Sequence, residues 1–104
     1  MAFLTIYLSE NDIQTYELST QDVTVGRQPG NSLVLNNPTV SRIHARFVHN
    51  KDADYYQVEN MSATNPALLN NKVITRPVIL FEKDHITIGS FGLVFSESKE
   101  IDSP

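Results

Sequence analysis

The chain has 104 residues, of which 40% are hydrophobic and 19% charged, with no cysteine and a formal net charge of -4 at pH 7. This length suffices for one domain with a buried core and is too short for two. The composition excludes disulfides and a Cys-based zinc site, no apolar stretch reaches the length of a membrane span, and the acidic balance argues against general nucleic-acid binding.

Short segments of alternating apolar and polar residues recur along the chain and predict β-strands, whereas no segment predicts a helix. One of them places Ile43, Ala45 and Phe47 on one face, with His44 on the opposite face. A further short run, Leu33 to Leu35, lies between turn residues. In chain order, the alternating segments are residues 3–8, 22–25, 43–48, 56–58, 86–88 and 93–95.

Turn residues separate these segments. Asn50 to Asp54 predicts a polar turn, and Asn70-Asn71 predicts a tight hairpin because asparagine tolerates a positive φ. Many short strands at this spacing indicate an antiparallel sandwich or barrel. We expect residues 1–97 to form one domain and the polar residues 98–104 to form a tail or linker of a longer chain.

Polar side chains that favour anions cluster where strand-like segments end. Arg27 follows one segment, Ser41 and Arg42 precede another, and Thr64 and Asn65 lie in a polar loop after a third. A β-scaffold presents recognition groups from such loops. Arginine and hydroxyl groups supply the charge and the donors that a phosphate requires. The pattern therefore predicts a phosphate-binding module and not an enzyme.

Six motifs occur in order between residues 23 and 95, and together they resemble the forkhead-associated (FHA) domain family. Each motif alone carries little information, whereas their order and separations are specific. The motifs are Val25-Gly26-Arg27, Asn31 to Leu35, Val40 to Ala45, Val58 to Asn65, Leu69 to Lys72 and Ile86 to Gly89.

The resemblance implies an all-β fold, an antiparallel sandwich of about eleven strands, whose loops at one end bind phosphothreonine peptides. Carried over by position, Arg27 would contact the phosphothreonine segment. Ser41 would donate its hydroxyl to the phosphate, and Arg42 would add charge or a backbone amide. Thr64 would help to hold the phosphate, and Asn65 would bond the peptide main chain.

Two further positions are expected to support the site. The resemblance implies that Gly26 provides the required backbone geometry and that His44 braces the loops from beneath. The chain also departs from the family pattern, because Pro66 stands where glycine usually follows the loop asparagine, which puts the orientation of Asn65 in question. Milder departures are Asn60, Ala63, Ala67 and Asn71.

Three functions are compared. The first is a module that binds a phosphothreonine-containing protein, a substrate of a Ser/Thr kinase, without a cofactor, metal, nucleic acid or membrane. The second is a scaffold of the same fold that binds a partner or itself without phosphate. The third, an enzyme using Ser41 and His44, is disfavoured because no orienting acid is apparent.

We also expect an intracellular location, in the cytoplasm or in a eukaryotic nucleus, since residues 1–6 lack the basic residues of a signal peptide.

Overall fold

The computed structural model describes residues 2–97, in which eleven β-strands and no helix occur. The predicted all-β architecture is confirmed, whereas the predicted tail, residues 98–104, lies outside the described residues. The strands are β1 (Ala2–Ser9), β2 (Asp12–Leu18), β3 (Val23–Gly26), β4 (Leu33–Val34), β5 (Ala45–Asn50), β6 (Tyr55–Asn60), β7 (Leu68–Leu69), β8 (Lys72–Val73), β9 (Val78–Ile79), β10 (His85–Ile88) and β11 (Phe91–Ser96).

The strands form two sheets that face each other as a sandwich. One sheet has the order β2-β1-β11-β10-β7-β8 and the other has the order β4-β3-β5-β6-β9. The strand pairs are antiparallel except for β3 and β4, which run parallel. A parallel pair cannot be joined by a tight hairpin, so the chain between β3 and β4 forms an open loop at one end of the sandwich.

The core lies between the sheets and consists of the inward-facing residues predicted by the alternation. Burying one such aliphatic or aromatic side chain stabilises the fold by about 1.5–3 kcal/mol, so the two facing layers dominate stability. The first sheet contributes Leu4, Ile6, Ile86, Ile88, Leu93 and Phe95, and the second contributes Val23, Val25, Ala45, Phe47, Tyr56 and Val58, all of them buried.

The predicted facing of Ile43 is wrong, because Ile43 does not share the buried face of Ala45 and Phe47. Ile43 is 42% exposed, whereas His44 is fully buried. The chain bends at Arg42 and Ile43, and β5 begins only at Ala45, so strand alternation does not extend back to this pair. The bend turns the imidazole inward and the isoleucine outward.

The turn chemistry is confirmed where the sequence predicted it. Asn70 and Asn71 have φ values of 51° and 72° in the β7–β8 hairpin, and Asp54 has a φ of 56° before β6. Asparagine and aspartate adopt this left-handed region more readily than other side chains. Among the described residues, no helix is long and apolar enough to cross a membrane.

Candidate functional site

Three loops meet at one end of the sandwich: residues 27–32 between β3 and β4, residues 35–44 between β4 and β5, and residues 61–67 between β6 and β7. The amide of Arg27 donates to the Ser41 carbonyl at 2.9 Å, which joins the first two loops. The Asn65 side-chain amide donates to the Thr39 carbonyl at 2.9 Å, which joins the second and third. The loops therefore hold one another in place.

Gly26 allows the first two loops to approach closely. A Cβ atom at this position would lie 2.1 Å from the Arg42 carbonyl oxygen and 2.8 Å from the Asn31 side-chain nitrogen. The same Asn31 nitrogen donates to the Arg42 carbonyl at 2.7 Å. No larger residue fits between these groups without displacing them, so a glycine at this position allows the close approach of the two loops.

A cleft of about 320 Å³ lies between the loops, and we call it the phosphate cleft. It brings together four of the five predicted binding residues, and Asn65 follows directly in the chain. None of the lining residues is acidic. They are Arg27, Ser41, Arg42, Ile43, Met61, Ser62, Ala63 and Thr64.

The Arg27 side chain is oriented by one hydrogen bond. Its Nε donates to the Val40 carbonyl oxygen at 3.0 Å. The two terminal nitrogens make no hydrogen bond with a described residue, so their donors remain available at the cleft. A guanidinium that is already oriented loses less side-chain freedom when it binds an anion.

A pair of serine hydroxyls lies on the floor of the cleft. The Ser41 and Ser62 Oγ atoms are 2.6 Å apart, and Ser62 is buried. The Ser62 Oγ also accepts the Asn65 amide at 3.1 Å, and either serine can donate the hydrogen bond that joins the pair. Because a hydroxyl both donates and accepts, the Ser41 Oγ can also bond a ligand in the cleft. Ser62 was not predicted from the sequence, where a serine in a turn-rich segment gives no specific signal.

His44 lies beneath the second loop and supports it. Its Nδ1 accepts the Ser41 backbone amide at 2.9 Å, which places the ring proton on Nε2 in the neutral form. Burial lowers the pKa of His44 below its usual value, and an interaction with the Asn65 backbone partly offsets this effect. The ring is therefore neutral at pH 7 and acts as an acceptor.

The same geometry does not provide a nucleophile and base pair. His44 Nδ1 accepts the backbone amide of Ser41 and does not bond the Ser41 hydroxyl. That hydroxyl bonds Ser62 instead. His44 Nε2 is buried and has no hydrogen-bonding carboxylate to orient it. No group of three or more potential metal ligands occurs in residues 2–97.

Asn60 fixes the third loop despite Pro66. Its Oδ1 accepts the amides of Ser62 at 3.1 Å and Ala67 at 2.9 Å, and its Nδ2 donates to the Ser62 carbonyl at 2.8 Å. A carboxylate has no donor, so an aspartate here would lose the last of these bonds. Pro66 takes part in none of these contacts, and Asn65 remains at the rim with an exposed side chain.

The charge distribution favours an anion at this end. The chain has 12 acidic residues, but none occurs in residues 23–51 or 60–81, which contain all three loops. Arg27 and Arg42 are both exposed and both line the phosphate cleft. A locally basic site on an acidic chain favours the binding of an anion at this end.

The sequence model of the FHA domain family matches residues 23–89, and the chain belongs to this family. It is 34% identical over 100 residues to the oxoglutarate dehydrogenase inhibitor of Corynebacterium jeikeium, covering 95% of this chain and 67% of that protein. It is 30% identical over 94 residues to the glycogen accumulation regulator GarA of Mycolicibacterium smegmatis, covering 90% of this chain and 58% of that protein.

A solved structure of the MEK1 FHA domain in complex with a HOP1 phosphothreonine peptide is similar to this chain. The sequence identity is 29%, the TM-score is 0.76, and the match covers 91% of this chain and 94% of that one. The fold, with its two sheets and its loop end, is therefore that of an FHA domain.

Proposed function

We propose that this chain is a phosphothreonine-dependent peptide-binding module that mediates interactions between proteins. The observation that carries the proposal is the phosphate cleft, in which Arg27, Ser41 and Thr64 converge from three loops. Family membership and the similarity to a phosphothreonine-peptide complex support the same function.

The contacts available to a phosphate explain how the module would discriminate. A phosphate at pH 7 carries close to two negative charges and three acceptor oxygens. Arg27 offers its terminal nitrogens, Ser41 its hydroxyl, and the exposed Thr64 a second hydroxyl. Each charge-assisted hydrogen bond contributes about 1.5–3 kcal/mol, so an unphosphorylated peptide would bind far more weakly.

Asn65 would hold the peptide main chain beside the phosphothreonine. Its side chain is exposed at the rim and lies between the second and third loops. The bond that it donates to Thr39 positions the amide, while its carbonyl oxygen remains available to a peptide N–H. Peptide binding in this mode leaves the ligand chemically unchanged, so the module has no enzymatic activity.

The partner is a protein phosphorylated on threonine by a Ser/Thr kinase, and the module acts in the cytoplasm. The relatives named as an inhibitor and a regulator support a regulatory role within a longer protein. No cofactor is required for this role. Arg42 contributes charge at the cleft, and its carbonyl oxygen fixes the first loop through Asn31.

A second candidate is a phosphate-independent scaffold, and one observation favours it. Tyr7 and Ile13 are cross-strand neighbours in β1 and β2 and are 43% and 53% exposed. Exposed apolar side chains on a sheet face can contact a partner. Complexes formed through this face would survive phosphatase treatment and Ser41→Ala, and loss of the complex after either would exclude the scaffold.

The test of the main proposal is binding to a phosphothreonine peptide library, with matched phosphoserine and unphosphorylated peptides. We expect selective phosphothreonine binding that Arg27→Ala weakens roughly 10- to 100-fold. The matched control is Arg46→Ala, which removes an arginine that is paired with Asp22 and Glu59 away from the cleft. Equal binding of phosphorylated and unphosphorylated peptides would refute the proposal.

A further inference from the structure

A second cleft of about 430 Å³, which we call the outer cleft, adjoins the phosphate cleft. Arg27 and Arg42 line both clefts, so the two guanidinium side chains lie between them. The remaining walls are Gln28, Pro29, Val34 and Asn36. None of these residues is acidic.

The two arginines have more donors than one phosphate requires. A guanidinium carries five N–H donors in a planar fork. Arg27 uses only Nε within the described chain, and the exposed Arg42 side chain makes no hydrogen bond or ion pair with a described residue. A phosphate in one cleft can therefore be bound while donors remain for a second anionic group on the other side.

The other walls of the outer cleft suit an anionic side chain with a short apolar stem. Asn36 is exposed, and its side chain makes no hydrogen bond with a described residue, so its amide can donate. Val34 is 41% exposed at the edge strand β4 and offers an apolar surface to the methylene groups of a glutamate.

We propose that the outer cleft binds a second anionic side chain of the same peptide, a carboxylate or a second phosphate close to the phosphothreonine. Because the clefts share Arg27 and Arg42 and an extended chain advances about 3.3–3.6 Å per residue, the second anion lies within about three residues of the first. This inference rests on the proposed function and adds a sequence preference to it.

The test compares phosphothreonine peptides that carry glutamate or glutamine at each of the three positions on either side. At one or more positions we expect glutamate to bind about three- to fivefold more tightly than glutamine, the size of an exposed ion pair. A second phosphothreonine at that position should bind more tightly than glutamate, because it carries more charge. The preference should shrink as ionic strength rises.

The variant Asn36→Asp tests whether the preference for glutamate over glutamine arises in the outer cleft. The substitution places a negative charge in the outer cleft with almost no change in shape, so we expect it to abolish the preference for glutamate. Asn71→Asp makes the same chemical change in the β7–β8 turn, where Asp also tolerates the positive φ, and should retain the preference. Each peptide pair is titrated by calorimetry against the wild type and both variants.

The outcomes separate this inference from the proposed function. Equal affinity for glutamate and glutamine at every position, with phosphothreonine dependence intact, would overturn the inference alone. An equal reduction of the preference by Asn36→Asp and Asn71→Asp would also overturn it, because a long-range charge effect would then account for the result. Loss of phosphothreonine dependence itself would overturn the proposed function.

Discussion

Ser62 links the rim of the site to its floor. Its hydroxyl accepts the Asn65 amide and bonds the Ser41 hydroxyl, although its own side chain is buried. In the proposed function it is a positioning residue, because it would act on phosphate through Ser41. Arg27 is positioned similarly by the Val40 carbonyl, so the Arg27 and Ser41 side chains are both held by hydrogen bonds at the cleft.

Ser62→Ala tests this positioning role. We expect phosphothreonine-peptide affinity to fall about three- to tenfold, because the Ser41 hydroxyl loses the partner that orients it. The double variant Ser41→Ala, Ser62→Ala should bind no more weakly than Ser41→Ala alone. Calorimetric titration of the wild type, the two single variants and the double variant gives the coupling free energy between Ser41 and Ser62. Ser9→Ala, at an exposed site, serves as the control. Fully additive losses would contradict the positioning role.

At the scale of the elements, a rigid pair of sheets presents three loops that are fixed by bonds within and between them. The third loop depends on Asn60, which makes three hydrogen bonds, and on the Asn65 bond to Thr39. Pro66 lacks the amide donor that a glycine would supply at this position. None of the bonds that hold the loop requires that donor.

Pro66→Gly should therefore leave binding within about threefold of wild type and lower the free energy of unfolding by about 0.4–1 kcal/mol, because glycine increases the freedom of the unfolded chain. Asn60→Ala is the contrasting variant, since it removes all three bonds and should weaken peptide binding more. Urea unfolding and calorimetric titration measure the two effects. A loss of affinity greater than tenfold in Pro66→Gly would show that the proline itself shapes the site.

Sequence patterns predicted the strands that have one buried face. They did not predict segments whose conformation depends on contacts with residues outside the strand. The edge strand β2 was not predicted, because most of its residues are exposed on both faces and the alternation is weak. The outward facing of Ile43 arises from a bend, and the His44 ring beside it is held by the Ser41 amide. Such contacts cannot be read from alternation.

The sequence predicted which residues belong to the candidate site, but it did not predict how their side chains are arranged. The ordered motifs identified Arg27, Ser41 and Thr64, which the structure places around one cleft. Ser62 could not be predicted because its importance comes from a bond to a residue 21 positions away. The outer cleft likewise forms only when residues near 27, 34 and 42 come together in three dimensions.

For the whole molecule, the features that support the proposed function lie at one end. Both arginine-lined clefts lie among the acid-free loops, while the 12 acidic residues occur elsewhere along the sequence. The opposing possibility is contact through a sheet face, where Tyr7 and Ile13 are exposed neighbours. The two regions lie on separate elements, so the location of binding distinguishes a phosphate-dependent module from a scaffold.

The most direct measurement is a residue-resolved NMR titration of the chain with one phosphothreonine peptide and with its unphosphorylated form. We predict that the phosphorylated peptide shifts the amide signals of residues 27–28, 41–44 and 62–65, that Tyr7 and Ile13 are unaffected, and that the unphosphorylated peptide shifts none of them. Shifts concentrated at Tyr7 and Ile13, or equal shifts with both peptides, would contradict phosphothreonine recognition by the loops.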